Sequence, residues 1–504
     1  MNPNDYDLPH DEWRPHQKEA LDLILNMHNA STMILEMPTG TGKTGICAAT
    51  GYKSKVLSMM GTRELQQQYA DIYDFSIIWG RSHYPCTDPI KANRWKKVYG
   101  FLPNAGDCTK MKECDVYCPY KQAKSEAFAV NKVATNYHYG WYSEWWHKRD
   151  GYLFCDEAHN LAISVISGLA QLKVSEKQRE KWDLPKFPAI SGATLFAKDA
   201  VDKWLEQSIG LLGFMLGQME DSKKKSRGTL LHRKLVMLRQ LLYQGSWYIE
   251  GRNYGTLNNP PLLSCRPINP SVFADRLLGH HDKRVLMSAT IGDAEMLARE
   301  LGINDYEFHS FPHNIPLEQR PVFLVEDSPA MSYRSTYKDY EHQADIVAHL
   351  CHKHKSERVL IHCTRWRHAH DLANRLSRKG LQDRVYVPNI KEGRLAQIAK
   401  LTVNTKPDLI AIGPSFWEGL DLRDDLCRAV IICKVPFQDR KDPVVAARLR
   451  QEGGQAWDRW VASMKVVQGV GRAVRDKEDY AVGYIVDNNW IRVQKYAPKW
   501  FNVQ

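Results

Sequence analysis

The segment that most constrains the fold of this chain is a glycine-rich loop that directly follows an apolar run. The run Met33-Ile-Leu-Glu-Met37 has the length of a buried strand, and the loop Pro38-Thr-Gly-Thr-Gly-Lys-Thr44 is followed by a helical pattern. Glycines in such a loop let backbone N–H groups turn towards phosphate oxygens, and the first turn of the helix adds further N–H groups. The order strand, phosphate-binding loop and helix predicts a parallel α/β sheet.

The side chains of this loop suit a nucleoside triphosphate bound with Mg²⁺. Lys43 can reach the β- and γ-phosphates, and the hydroxyl of Thr44 can ligate Mg²⁺. Met37 stands where such loops usually have a leading glycine, and the alternative is a chance glycine loop, which the strand–loop–helix context disfavours. The residues expected to bind ATP and Mg²⁺ here are Pro38, Thr39, Gly40, Thr41, Gly42, Lys43 and Thr44.

Two adjacent acids end a second apolar run, Tyr152-Leu-Phe-Cys-Asp-Glu-Ala-His159. Asp156 can hold Mg²⁺, directly or through water, and Glu157 can orient and deprotonate the attacking water. An isolated Asp-Glu pair at the end of a strand is usually a solvated turn. Adjacent buried acids are costly unless a cation lies beside them, so the pair after a phosphate-binding loop favours a nucleotide site.

A third motif, Gln468-Gly-Val-Gly-Arg-Ala-Val-Arg475, lies near the C-terminus. On a helix, Arg472 and Arg475 are three residues apart and share a face. Two guanidinium groups that project across a cleft towards a γ-phosphate would act as arginine fingers. The motif is weak on its own, because basic helix faces are usually solvated.

Length and composition indicate several domains and an anionic partner. At about 150 residues per domain, 504 residues allow roughly three domains. The chain has no apolar run of the ~18 residues that a membrane-spanning helix needs and no apolar signal segment, so we expect a cytoplasmic, DNA-associated protein without membrane contact. Lys and Arg (69) outnumber Asp and Glu (58), and the net charge of +11 favours partners such as nucleic acid.

The pattern along the chain predicts two α/β halves separated by a helical insertion. Residues 160–265 are rich in Leu, Lys and Gln, with helical periodicity at 199–216 and 229–243. In the halves on either side, short apolar runs alternate with helical patterns. The predicted strands cover residues 32–37, 55–59, 152–155, 358–363, 409–413, 429–435 and 481–486.

Taken in order, these and four further motifs resemble those of the XPD/DinG family of superfamily 2 helicases. The resemblance covers nearly the whole chain and is weakest in the helical insertion. It also accounts for Met37, because Leu35-Glu-Met-Pro-Thr-Gly-Thr-Gly-Lys-Thr44 is similar to the form of the phosphate-binding loop in that family. The other matching motifs are Arg14-Pro-His-Gln17, Gly61-Thr-Arg-Glu-Leu-Gln66, Asp156-Glu-Ala-His-Asn160, Ser288-Ala-Thr290, Gly413-Pro-Ser-Phe-Trp-Glu-Gly-Leu-Asp421 and Gln468-Gly-Val-Gly-Arg-Ala-Val-Arg475.

The resemblance implies two RecA-like domains with ATP between them, an iron–sulfur domain and a helical arch. It also implies 5′ to 3′ translocation on single-stranded DNA and unwinding of forked duplexes by a monomer. His159 and Gln468 join the catalytic set, Gln17 would contact adenine, and Glu418 and Asp421 would lie at the ATP and Mg²⁺ site. The expected order is first RecA-like domain 1–78, iron–sulfur domain 79–124, first domain again 125–162, arch 163–265, first domain 266–310 and second RecA-like domain 311–504.

Four of the eleven cysteines crowd into one stretch between these motifs: Cys86, Cys108, Cys114 and Cys118. The family has the four ligands of a 4Fe-4S cluster in that interval, so the resemblance implies the same role here. By ligand chemistry alone, four thiolates suit an iron–sulfur cluster or a zinc ion, although structural zinc sites usually have paired cysteines at both ends and Cys86 stands alone. A bound group would tie a poorly apolar loop to one point.

Charge and aromatic residues indicate where DNA would bind. Basic residues track phosphates, and aromatic faces stack unpaired bases without reading their sequence. The alternative interpretation is that the basic residues of the insertion form a solvated helix face without a DNA contact. The residues predicted to contact DNA are Arg63, Trp95, Trp417, Lys223, Lys224 and Lys225.

Two other functions remain open from the sequence. The same motor could act on RNA or remodel bound protein, although no motif that reads a 2′-hydroxyl is recognisable. The chain could also be a redox-sensing nucleic-acid-binding module with a vestigial ATPase, which the intact Lys43, Asp156, Glu157, Arg472 and Arg475 disfavour.

Overall fold

The computed structural model describes residues 2–87, 118–143, 145–169, 172–219, 222–255, 260–279, 281–404, 406–417, 422, 424–471, 474 and 478–504. In these ranges the chain forms two lobes, each built on a parallel sheet, and an insertion in the first lobe. The fold is therefore α/β with two parallel-sheet domains, as predicted. Within the described residues, no helix is both long and apolar enough to span a bilayer.

The first lobe contains a seven-stranded parallel sheet in the order β11-β1-β10-β5-β2-β4-β3. Its central strands β1, β2 and β5 are buried along their whole length, because helices cover both faces of the sheet. The strands are β1 (Thr32–Glu36), β2 (Val56–Met60), β3 (Ser76–Ile77), β4 (Lys132–Asn136), β5 (Tyr152–Asp156), β10 (Lys283–Ser288) and β11 (Tyr306–Ser310).

The helices of this lobe connect successive strands and carry most of its remaining core. An aromatic stretch near β4 contributes the buried rings of Tyr137, Tyr139, Trp141 and Trp146, while Tyr142 is exposed. The helices longer than five residues are Gln17–Leu25, Lys43–Lys53, Arg63–Tyr73, Pro119–Ala129, Tyr137–Tyr142, Leu161–Leu169, Ser271–Leu278 and Ala294–Leu301.

The second lobe contains a six-stranded parallel sheet in the order β12-β17-β16-β13-β15-β14. Its strands are β12 (Val322–Leu324), β13 (Val359–His362), β14 (Val385–Tyr386), β15 (Ile410–Gly413), β16 (Ala429–Ile432) and β17 (Val482–Ile485). Its α-helices are Tyr337–Lys353, Trp366–Leu376, Arg394–Val403, Pro443–Leu449 and Gly454–Val470.

Each of the seven apolar runs predicted as strands contains a strand. The largest difference is at residues 429–435, where β16 ends at Ile432. Three residues further on, Val435 precedes Pro436, and a proline has no N–H to donate to a sheet. The exact boundaries of the predicted domains remain predictions.

The insertion differs from the expected purely helical arch. It does contain two long helices, Leu195–Gln218 and Ser222–Leu241, which pack against each other and include most of the two segments with helical periodicity. It also contains a four-stranded antiparallel sheet in the order β6-β9-β8-β7, formed by β6 (Leu172–Ser175), β7 (Ile190–Gly192), β8 (Trp247–Arg252) and β9 (Leu262–Pro267). The prediction missed this sheet because its strands are short and lie before and after two long helices, whose pattern dominates the insertion.

A polar contact joins the lobes on the side of the insertion. Glu300 of the first lobe pairs with Arg448 of the second lobe, and both side chains are buried. The guanidinium of Arg448 lies 3.8 Å from the ring centre of Trp457, and burial raises the pKa of Glu300. Nearby, Arg266 of β9 donates two hydrogen bonds of 2.8 Å to the carboxylate of Asp442.

We predict that the buried pair behaves as a unit. Glu300→Leu leaves Arg448 charged and without its carboxylate, so the free energy of unfolding should fall by about 3–5 kcal/mol, measured by urea denaturation. The double variant Glu300→Leu/Arg448→Met should recover most of that loss. Arg239→Met, which breaks a more exposed ion pair with Asp202, is the control and should cost about 0–1 kcal/mol. Equal losses in the single and double Glu300 variants would contradict this account.

Candidate active site

The glycine-rich loop between β1 and the helix Lys43–Lys53 has the backbone that phosphate binding requires. Gly40 and Gly42 have φ values of +84° and +81°, which L side chains rarely adopt. A Cβ atom on Gly42 would also lie 2.6 Å from Nε2 of Gln17. Gln17 is buried; its amide donates to the carbonyl oxygen of Gly42 at 3.0 Å and accepts from the N–H of Arg14 at 3.0 Å.

Lys43 faces back into this loop. Its ammonium group donates to the carbonyl oxygen of Met37 at 3.1 Å, which holds the charge over the loop. A cavity of about 620 Å³ opens beside it. The lining residues are His10, Arg14, Thr39, Gly40, Gly42, Lys43, Thr44, Leu65, Gln68, Ile72, Tyr73, Asp156 and Glu157.

The two acids lie at the end of β5, facing the same cavity. Asp156 is buried, and its carboxylate accepts hydrogen bonds from the hydroxyl of Tyr69 at 2.9 Å and from the N–H of Glu157 at 2.9 Å. Burial, with the charge of Glu157 as the next cause, raises the pKa of Asp156 to about 6, while the charge of Lys43 opposes the rise. Glu157 has a φ of +54°, an uncommon backbone conformation for a residue other than glycine.

A chain of close polar contacts leads from Glu157 to the second lobe. Nδ1 of His159 lies 3.3 Å from Oε2 of Glu157 and 2.6 Å from Oγ of Ser288. The N–H of Thr290 donates to Oγ of Ser288 at 3.1 Å, and Nε2 of Gln468 donates to Oγ1 of Thr290 at 3.0 Å. Three predicted motifs therefore meet at the cleft between the lobes.

The segment 288–292, named here the coupling loop, is also held by Glu36, which the sequence analysis did not single out. The carboxylate of Glu36 accepts from the N–H of Ile291 at 2.9 Å, from the N–H of Gly292, and from the hydroxyl of Ser310 at 2.7 Å. Burial raises the pKa of Glu36, and these hydrogen bonds oppose the rise.

The second lobe holds the other side of the coupling loop. Nε1 of Trp460 donates to the carbonyl oxygen of Ile291 at 2.8 Å. Gly292 has a φ of +64°, and a Cβ atom there would lie 2.0 Å from the carbonyl oxygen of Tyr496. Only glycine fits this close approach of the two lobes.

A second cavity, of about 430 Å³, lies in the cleft itself. Glu157, His159 and Thr290 line it from the first lobe, and Gln468 lines it from the second. Arg320, from the segment that joins the lobes, faces the same space.

Comparison with known proteins indicates the family. A model of the helicase C-terminal domain matches residues 347–504, and a model of the res subunit of type III restriction enzymes matches residues 10–181. The ATP-dependent DNA helicase YoaA of Escherichia coli (strain K12) is 22% identical over 95% of this chain and 91% of that protein. The 3′-5′ exonuclease DinG of Bacillus subtilis (strain 168) is 24% identical over 45% of this chain and 26% of that protein. A solved XPD helicase superposes with a TM-score of 0.60 at 17% identity, over 98% of this chain and 100% of that chain.

These comparisons support an XPD/DinG-like superfamily 2 helicase. Its two parallel-sheet lobes are the RecA-like domains of that fold. Membership of this helicase family implies ATP and Mg²⁺ as cofactors, which suits the loop and the two acids described above.

Several predicted site residues lie outside the described residues: Trp95, Cys108, Cys114, Glu418, Asp421, Arg472 and Arg475. Their roles stay predictions, as does the adenine contact of Gln17, whose amide is engaged by the backbone of the loop. Arg63 begins the helix Arg63–Tyr73, and its guanidinium lies 2.5 Å from Nε2 of His83.

The other predicted DNA contacts lie on both lobes. Trp417 is half-buried in the second lobe, where its Nε1 donates to the carbonyl oxygen of Cys363 at 3.1 Å. Lys224 and Lys225 lie in the first turn of the helix Ser222–Leu241, which also contains Lys223. Lys225 donates to the carbonyl oxygen of Met219 at 3.1 Å, so this cation is partly used within the insertion.

Cys86 and Cys118 mark the two ends of the cysteine-rich stretch, and both are half-buried. Rings adjacent to them hold these ends together: the centres of Tyr84 and Tyr120 are 5.6 Å apart, and Arg81 lies 4.9 Å from the centre of Tyr120. Two thiols at the closed base of one loop fit a thiolate-ligated group. Among the described residues, no three His, Cys, Asp or Glu side chains are grouped to hold a metal ion, and two of the four cysteines lie outside those residues.

The raised pKa of Asp156 predicts a pH-dependent affinity for Mg²⁺. Mg²⁺ binds the carboxylate and must displace a proton below the pKa of about 6. The affinity for Mg²⁺ in the presence of ADP should therefore be about tenfold lower at pH 5 than at pH 7.5. Asp156→Asn should bind Mg²⁺ weakly and lose this part of the pH dependence. Tyr69→Phe should move the transition to higher pH, because the Tyr69 hydroxyl lowers the pKa of Asp156. Fluorescence titration of a labelled ADP measures the affinity for Mg²⁺ of the wild-type protein and of both variants. If the affinity of Asp156→Asn depended on pH in the same way as that of the wild type, the assignment would be contradicted.

Proposed function

We propose that this protein is an ATP-dependent DNA helicase that translocates 5′ to 3′ on single-stranded DNA and separates the strands of forked duplexes. The observation that carries the proposal is the continuous contact from Glu157, through the coupling loop, to Gln468 of the second lobe. A change at the nucleotide can thereby alter the position of one lobe relative to the other, which is what a translocating motor requires.

Hydrolysis is assigned to side chains that face one cavity. When ATP binds, Lys43 would move from the carbonyl oxygen of Met37 to the phosphates, and Thr44 and Asp156 would hold Mg²⁺. Glu157 takes a proton from the attacking water as general base. His159, between Glu157 and Ser288, orients the base and links it to the coupling loop.

The strand is proposed to run across surfaces that combine cations with aromatic rings. In the second lobe, Trp417 and Phe437 line a cavity of about 410 Å³ together with Arg394 and Lys465. Rings can stack bases, and the cations can pair with phosphates. Lys224 and Lys225 extend this proposed track onto the insertion.

The proposed function is tested by strand displacement on duplexes with 5′ or 3′ single-stranded tails. The wild-type protein with ATP should displace the strand of the 5′-tailed duplex and leave the 3′-tailed duplex intact. Lys43→Ala should bind the tailed DNA and displace nothing, because it lacks the phosphate-binding charge. Displacement in the absence of hydrolysable ATP, or stimulation of ATP hydrolysis by RNA but not by DNA, would defeat the proposal.

The proposal includes a 4Fe-4S cluster bound by Cys86, Cys108, Cys114 and Cys118. Four thiolates suit such a cluster, and when bound it would organise the segment between the described ends Cys86 and Cys118. A structural role fits the contact between the rings of Tyr84 and Tyr120, which lie beside the two ends of that segment.

Metal analysis tests this part. Protein purified without oxygen should be yellow-brown and contain about four irons per chain with matching sulfide. Cys118→Ser should lose iron and unwinding activity but keep most ATP hydrolysis, whereas Cys265→Ser, at a buried cysteine of the insertion, should keep its iron. Stoichiometric zinc without iron in active protein would replace the cluster by a zinc site and leave the motor assignment intact.

A further inference from the structure

The segment between β11 and β12 passes directly beside the phosphate-binding loop. Its first residue, Phe311, donates its N–H to the carbonyl oxygen of Glu36 at 2.9 Å, and its ring lies 5.7 Å from that of His16. The position follows from the topology, because β11 is the neighbour of β1 in a parallel sheet and both strands end at the same edge. Residues 311–321, named here the linker, therefore belong to the nucleotide site by position.

Arg320 stands out in the linker because its charge lacks a carboxylate partner. Its Nε donates to the carbonyl oxygen of Ile315 at 3.0 Å, and its two terminal nitrogens approach the carbonyl oxygen of Trp500 at 3.3 and 3.4 Å. Within the described parts of the chain, no Asp or Glu lies within ion-pair distance of this guanidinium. Burial lowers its pKa, while the charge of Glu318, which lies beyond ion-pair distance, opposes the fall, and arginine stays protonated in proteins.

These contacts fix the guanidinium without using all of its donors. A guanidinium has five N–H groups, and the three bonds to carbonyl oxygens leave two available. The ring of Trp500, 5.6 Å from the guanidinium, restricts it further. A cation that is half-buried, immobilised and not in an ion pair can bind an anion.

The space that Arg320 faces is the catalytic cleft. It lines the 430 Å³ cavity together with Glu157, His159 and Gln468. A second cation lies close by: burial, followed by the charges of Arg320 and Lys43, lowers the pKa of His313 to about 3. Arg320 of the linker and Lys43 of the phosphate-binding loop thus both lower the pKa of His313, whose imidazole is neutral.

We propose that Arg320 binds the terminal phosphate of ATP when the nucleotide occupies the cleft, as a phosphate-binding residue supplied by the linker between the lobes. The inference rests on the proposed ATPase function and adds a residue to its site. The terminal phosphate is the group that ATP has and ADP lacks. Arg320 therefore makes the orientation of the linker, and with it that of the second lobe, depend on which nucleotide is bound.

The test compares the affinities for a non-hydrolysable ATP analogue and for ADP, both with Mg²⁺, by fluorescence titration. Arg320→Gln should weaken binding of the analogue about tenfold or more and change binding of ADP less than twofold, because charge-assisted hydrogen bonds to the terminal phosphate are lost. Arg320→Lys retains a cation and should give an intermediate loss. The lysine variant also allows the two affinities to be compared if the glutamine variant is too unstable to purify.

Arg358 provides a matched control. It is a buried arginine that is likewise held by backbone carbonyl oxygens, those of Leu401 and Asn404, but it lies outside the residues that line the cleft. Arg358→Gln should lower the melting temperature and leave the ratio of the two affinities unchanged.

An unchanged ratio in both Arg320 variants, or an equal loss for the analogue and ADP, would overturn the inference and leave Arg320 as an anchor for the segment at Trp500. Failure of the wild-type protein to bind or hydrolyse ATP would instead defeat the proposed function. The two failures are therefore distinguishable.

Discussion

The contacts of the coupling loop are the interaction on which the rest of the structure depends. Each lobe is built around its own sheet, and the proposed motor needs both lobes to respond to one nucleotide. Residues 288–292 meet this need because Glu36 holds them from the first lobe, while Trp460 and Gln468 hold them from the second. A buried carboxylate is costly by itself, and three hydrogen bonds to Glu36 offset that cost.

Several energetically unfavourable features of the fold lie together in the nucleotide site. Asp156 is a buried acid beside another acid, and Glu157 adopts a left-handed backbone conformation. Such features persist where the surrounding structure enforces them, and a bound Mg²⁺ would offset the repulsion between the two carboxylates. On the side of the insertion, the buried pair of Glu300 and Arg448 joins the same two lobes by a contact that does not involve the nucleotide.

Local patterns were sufficient to predict the two parallel-sheet lobes and the centre of the site. The apolar runs, the glycine-rich loop and the acids at the end of β5 are contiguous in sequence, so their chemistry can be read without the fold. Glu36, Tyr69 and Arg320 could not be found in this way, because their partners are distant in sequence: Tyr69 reaches Asp156 and Arg320 reaches Trp500. The antiparallel sheet of the insertion was missed for a different reason. Its strands are short, and the helical periodicity of the two long helices dominates the sequence pattern of the insertion.

The most direct test of the account is a double-mutant cycle across the cleft, read out as DNA-stimulated ATP hydrolysis. Thr290→Val and Gln468→Leu should each lower the stimulated rate about tenfold, and the double variant should be no slower than either single variant, because one hydrogen bond is lost in all three. Thr290→Ser keeps the hydroxyl and should stay near the wild-type rate. Independent losses that multiply to about a hundredfold in the double variant would contradict the claim that this contact couples the two lobes.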